Sequence, residues 1–120
     1  LEHYIFRDAS KNKSFAYKVQ KPGSQRAVLQ FNELAVSESY TLLDIRLITG
    51  RHHQIRAQLS RIGCPIRGDL KYGAKRSNEG GGINLHSRKL QFKHPVKDEM
   101  VTIVAPLPKD NVWSIAPAED

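Results

Sequence analysis

The chain has 120 residues, 39% hydrophobic and 26% charged, with nineteen Lys and Arg against twelve Asp and Glu and a net charge of +7. That length supports one modest core and not two independent domains, so residues 1–120 are read as one unit. No apolar run approaches the roughly 18 to 20 residues that cross a bilayer, so a soluble protein without a membrane partner is expected, and the charge favours a polyanion.

Taken in order, Leu1-Glu2-His3-Tyr4-Ile5-Phe6 has neither an initiator Met nor the pattern of a signal peptide, and reads as a segment of something longer. Tyr4 to Arg7 and Phe15 to Val19 alternate aromatic or β-branched residues with polar ones, which predicts two strands flanking a turn over Asp8 to Lys13. Ala27 to Ala35 and Tyr40 to Ile48 are expected to form an antiparallel pair across Ser37-Glu38-Ser39. In the second of these, Leu43, Ile45 and Leu47 share one face while Leu42 and Ile48 share the other, so the strand is expected to be covered on both sides. After Gly50 the apolar period lengthens to that of a helix. Ile55, Leu59 and Ile62 predict a helix from about His52 to Ile62, stopped at Gly63-Cys64-Pro65. Pro65 to Asp69 is a tight crossing, and Ala74 to Asn84 is a loop rich in Gly, Ser and Asn. Leu85, Leu90 to Lys93 and Met100 to Ala105 read as strand, with a turn at His94-Pro95. Many strands with one good helix give an α+β fold, its sheet mixed and mostly antiparallel.

The positive charge is concentrated. Arg46, Arg51, Arg56, Arg61, Arg67, Lys71, Lys75 and Arg76 fall in one stretch whose sole acid is Asp69, while the rest of the chain is balanced. Such an excess reads as a phosphate-facing surface, without choosing between RNA, DNA and membrane, against the plainer reading of a solvated basic face. Within it, Thr49-Gly50-Arg51-His52-His53-Gln54-Ile55-Arg56 sits where a strand feeds a helix start, a place suited to an anion. On a regular helix Arg51, Arg56 and Arg61 lie about 140° apart, so they have separate jobs. Arg56, beside the apolar Ile55, is the best candidate for a partly buried ion pair with a carboxylate.

His52 and His53 lack the i, i+4 spacing that grips zinc, and the single Cys64 has no Cys-x-x-Cys partner, so no metal is expected. Cys64 reads as a packed core thiol. One cysteine excludes an intramolecular disulfide and points to the cytoplasm. Asp69 is a tempting nucleophile, but a carboxylate there equally neutralises a neighbouring arginine or caps a turn. Gly80-Gly81-Gly82 lacks the Lys-Ser/Thr of a phosphate-binding loop.

Ile48 to Leu59, followed by Gly63-Cys64-Pro65-Ile66-Arg67-Gly68-Asp69-Leu70-Lys71-Tyr72-Gly73, resembles the third motif region of RluA-type RNA pseudouridine synthases. Leu85-His86-Ser87, Leu90 to Pro95 and Ala105-Pro106-Leu107-Pro108 resemble the end of the same catalytic domain, whereas residues 1–39 match only loosely. The resemblance implies isomerisation of uridine in rRNA or tRNA without cofactor or metal. The family's catalytic aspartate lies in a His-Arg-Leu-Asp motif, followed by a catalytic tyrosine. This chain has no such motif, and Asp69, Tyr4 and Tyr72 do not match those positions.

By the resemblance, the chain is the C-terminal portion of the catalytic domain, inactive alone, with the missing N-terminal half as its partner. Arg56 would pair with the catalytic aspartate and Leu85 would pack against the target base. Arg51, His52, Gln54, Arg67, Lys71, Lys75 and Arg76 would contact RNA. Open sheet edges would also admit a homodimer of the fragment. The rival readings are a non-catalytic RNA-binding module derived from such an enzyme, and an RNA phosphodiesterase using His52 or His53 as acid and base.

Overall fold

The first two strands form because polar and apolar side chains alternate on a pleated backbone. They are β1, Glu2–Asp8, and β2, Lys13–Tyr17, joined by a short turn. His3 and Ile5 from β1, and Ser14 and Ala16 from β2, are buried on one face. The structure, a computed structural model, describes residues 1–37, 40–78 and 80–86, with two further strands taken as backbone. Two long strands follow, β3, Gln25–Val36, and β4, Thr41–Leu47, and the sheet order is β2-β1-β3-β4, antiparallel throughout. β3 is shared lengthwise. Its start pairs with β1 (His3 opposite Ala27), and the part from Leu29 onward pairs with β4 (Leu29 opposite Leu47), with a bulge between Glu33 and Ala35.

The α-helix among the described residues, α1, Gln54–Arg61, covers the β1, β2 and early β3 part of this sheet. The core between them is Ile5, Ala16, Ala27, Ala57 and Tyr72. With alanine on both sides of the seam, helix and sheet approach closely. Tyr72 comes from a short 3₁₀ turn over Leu70–Tyr72 that closes one end of the core. The remaining strands, β5, Lys89–Lys93, and β6, Met100–Val104, pair antiparallel in a separate two-stranded sheet. Expectations placed on Glu38-Ser39, Ser87, His94-Pro95 and residues from Ala105 onward fall outside the described residues.

Three local expectations are corrected. The helix starts at Gln54, two residues later than its apolar spacing suggests, because His53 takes a left-handed conformation (φ 52°) that breaks the helical path. Its buried face is Gln54, Ala57, Gln58 and Leu59, while Ile62 is 44% exposed. The sheet below presents the Val28 and Ala27 carbonyls as well as methyls, and two glutamine amides donate to them. Nor is β4 covered on both sides: Leu42, Leu43 and Ile45 are half-buried and Leu47 is exposed.

The helix stop is as the glycine predicts. Gly63 lies at φ 84°, and the Gly63 and Cys64 N–H groups donate back to the Ser60 and Leu59 carbonyls, the paired bonds of a Schellman cap. Cys64 beyond it is exposed and not a core thiol.

Candidate functional site

Thr49 to Arg56 is held by one side chain. Gln54 is 3% exposed, and its Oε1 accepts the Thr49 hydroxyl (2.8 Å) and the Arg51 N–H (2.9 Å) while its Nε2 donates to the Val28 carbonyl (3.0 Å). The same carbonyl takes the Ile48 and Thr49 N–H groups at 3.1 and 3.2 Å, and Thr49 Oγ1 accepts the Val28 N–H at 2.9 Å. The loop between β4 and α1 is thereby tied to one residue of β3. Gln54 has its amide committed within the fold, which does not fit the RNA contact expected of it.

The left-handed turn at His53 brings two imidazoles into a stack, with ring centroids 3.8 Å apart. His53 lies between Tyr72 and Arg56. Its Nε2 is 3.2 Å from Arg56 Nη1, and its Nδ1 is 2.7 Å from the Tyr72 hydroxyl. A guanidinium nitrogen only donates, so His53 Nε2 is the acceptor and Nδ1 carries the proton, donated to Tyr72. Tyr72 Oη also accepts the Ser14 N–H at 2.8 Å. His52 has the opposite tautomer: Nδ1 accepts from Ser14 Oγ (2.8 Å), and Nε2 donates to Asn12 Oδ1 (3.3 Å). Both imidazoles are held neutral. Burial lowers the pKa of each, reinforced by Arg56 beside His53 and by Arg7 beside His52.

Arg56 meets a carboxylate within the chain itself. Its Nε donates to Asp69 Oδ2 (2.9 Å) and its Nη2 to Asp69 Oδ1 (2.8 Å), a bidentate pair whose side chains are 20% and 1% exposed. Hydrogen bonding to Asp69 raises the Arg56 pKa above its ordinary value, so the charge is permanent. The guanidinium also sits 4.7 Å over the Tyr72 ring, with Lys13 Nζ at 5.3 Å from the same ring. Burial in turn raises the phenol pKa. Of the five N–H groups on Arg56, these contacts use three among the described residues. One N–H on each Nη stays open among the described residues.

The other expected residues are spread out. Arg51 is half-buried and its Nε braces the Arg26 carbonyl at 2.8 Å. Arg67 is committed to the following loop: its Nη1 donates to Asn78 Oδ1 (2.7 Å) and Asn84 Oδ1 (3.2 Å), and its guanidinium lies 5.1 Å over the Tyr40 ring. Gly68 makes this close approach workable, since a Cβ there would strike the Asn78 amide and lie 2.8 Å from the Gly82 carbonyl. Lys71, Lys75 and Arg76 are exposed, and Leu85 is 41% exposed. Among the described residues no three His, Cys, Asp or Glu side chains converge as a metal site, and no helix is long and apolar enough to cross a membrane.

Sequence reasoning passed over Tyr72 and Ser14, which complete the cluster. The available signal was the spacing of Tyr72 three residues after Asp69, one 3₁₀ turn, which puts both on the side facing Arg56.

Known proteins place this cluster in context. The sequence model of a family described as RNA pseudouridylate synthase matches residues 1–61, so the match includes the first 39 residues that the motif comparison left loose. An uncharacterized RNA pseudouridine synthase of Bacillus subtilis, YlyB, is 42% identical over 86 residues, covering 72% of this chain and 28% of that protein. Ribosomal large subunit pseudouridine synthase D of Haemophilus ducreyi is 32% identical over 104 residues, covering 76% and 32% respectively. The chain thus spans about a third of the length of these relatives. Among solved structures, human RNA Pseudouridylate Synthase Domain Containing 4 superposes with a TM-score of 0.68 at 26% identity, over 91% of this chain and 51% of that one. The chain belongs to the RNA pseudouridylate synthase family.

Proposed function

We propose that this chain is the C-terminal portion of a catalytic domain that isomerises uridine to pseudouridine in RNA, and that Arg56 holds the catalytic carboxylate. The reaction breaks the bond from the ribose to uracil N1, forms one to C5, and releases the C5 hydrogen to solvent. It needs an ionised aspartate in a partly dry site. The observation that carries the reading is the pair of unused N–H groups on the Arg56 guanidinium. Asp69 fixes its orientation from one edge, and one N–H on each Nη is left for a second carboxylate. An aspartate there would be kept charged by hydrogen bonds and by the adjacent cation. Leu85, exposed, would supply an apolar wall for the flipped base. Lys71, Lys75 and Arg76 would meet RNA phosphates.

The covering partner would be the N-terminal half of the same domain. Phe31, Leu34, Val36 and Leu47 are exposed on the β3–β4 pair, and the free edge of β4 can take another strand. A second copy of the fragment could meet the same surface. A cytoplasmic setting agrees with Cys64 being a free, exposed thiol.

The test uses the full-length protein and RNA carrying tritium at uridine C5. Wild type should release tritium. Arg56→Lys, which keeps the charge but loses the fork, should release it at least about a hundredfold more slowly, with RNA affinity within about twofold of wild type. RNA binding without release by the wild type would instead leave a binding module. Strand cleavage has less support, because both histidines are engaged as neutral hydrogen-bonding groups.

A further inference from the structure

Between β1, the turn leading into β3 and the loop before α1 lies a cleft of about 320 Å³, outside the Arg56 cluster. Ile5, Arg7, Gly23, Gly50, Arg51 and His52 line it, and no acidic residue does. Arg7 and Arg51 belong to no ion pair among the described residues. Arg51 is oriented through its Nε, which leaves its Nη groups for a ligand. His52 adds no charge while neutral, its Nδ1 accepting from Ser14 and its Nε2 donating to Asn12. Two unpaired guanidinium groups facing a small concave space make an anion site.

Gly50 supplies an independent observation. Its backbone does not lie in the left-handed region, and a Cβ built on it would meet nothing within 4 Å. Neither conformation nor packing among the described residues requires glycine there. Gly50 lines the cleft, and its bare backbone leaves room for a ligand to lie against it.

We infer that this cleft seats a phosphodiester of the RNA, gripped by Arg7 and Arg51, with Gly50 kept bare so that the sugar-phosphate backbone can lie against the loop. This rests on the RNA reading above and adds Arg7, from a strand far in sequence from the basic stretch. The two arginines would fix one nucleotide relative to Arg56, because His52 lines the cleft while stacked on His53.

The experiment measures binding of labelled oligouridylate RNA to the full-length protein across a salt series, with melting temperature followed in parallel. Arg7→Ala should weaken binding about fivefold to tenfold and reduce the salt slope by about one. Arg7→Lys should recover most of the loss. Gly50→Ala, which changes no charge, should weaken binding by a similar factor with an unchanged melting temperature. Wild-type affinity and slope in both Arg7→Ala and Gly50→Ala would overturn the cleft while leaving the enzyme reading intact. Loss of binding in these variants, in a wild type that forms no pseudouridine, would do the reverse. No RNA binding by the wild type would remove both.

Discussion

Asp69 is the side chain on which the charged cluster depends. It is 1% exposed with both its oxygens bound by Arg56, whose guanidinium lies 4.7 Å over the Tyr72 ring. Asp69→Asn keeps the volume and removes the charge. It should destabilise the protein by about 2–3 kcal/mol, below the full cost of breaking a buried pair because Arg56 is partly wet. Urea unfolding measures this, and an unchanged midpoint would mean that the pair contributes little. The arginine was legible from sequence as an ion-pair partner, since it stands next to an apolar helical position. Its partner within the chain was legible only as one of two options for Asp69. Tyr72 was legible only through its spacing from Asp69, because the rest of its role rests on contacts with Ser14 and His53, 58 and 19 residues away.

At the scale of elements, strands declared themselves through alternation, and the helix end through Gly63, because those signals are local. The helix start and its buried face did not. His53 adopts a left-handed conformation uncommon in residues other than glycine. Gln58, fully buried, donates toward His3 Nδ1 (2.9 Å) and the Leu1 and Ala27 carbonyls, so a residue that reads as solvent-facing is part of the core. The cap makes a clean test of the local rule. Gly63→Ala would add a Cβ that meets nothing within 4 Å, so its cost is that of the left-handed backbone alone. A loss of about 1–2 kcal/mol in thermal or urea unfolding is expected. A neutral substitution would show that the cap relaxes.

At the scale of the whole molecule, three histidines couple stability to pH. His3, His52 and His53 all have pKa values lowered from 6.5, with burial the leading cause in each. In the window between the folded and unfolded values the unfolded chain binds more protons, so stability rises with pH. The contribution is present above about pH 6.5 and is lost as pH falls through the folded values. Urea midpoints should therefore be lower at pH 5.5 than at pH 7.5, and the reverse order would contradict the neutral tautomers assigned here. Asp8, lowered from 3.8 by its bond to Ser10, acts only in more acidic solution.

The Val28 carbonyl brings these scales together. It receives the Ile48, Thr49 and Gln54 donors at one oxygen, more than its two lone pairs accommodate in ideal geometry. Its stretching vibration should lie at unusually low frequency, and a carbon-13 label there would be visible in the infrared apart from the other strand amides. Because Val28 borders the part of β3 that pairs with β4, that band would report on the distant hairpin: covering its exposed face, or shifting its register, would move a vibration beside the loop that leads into α1.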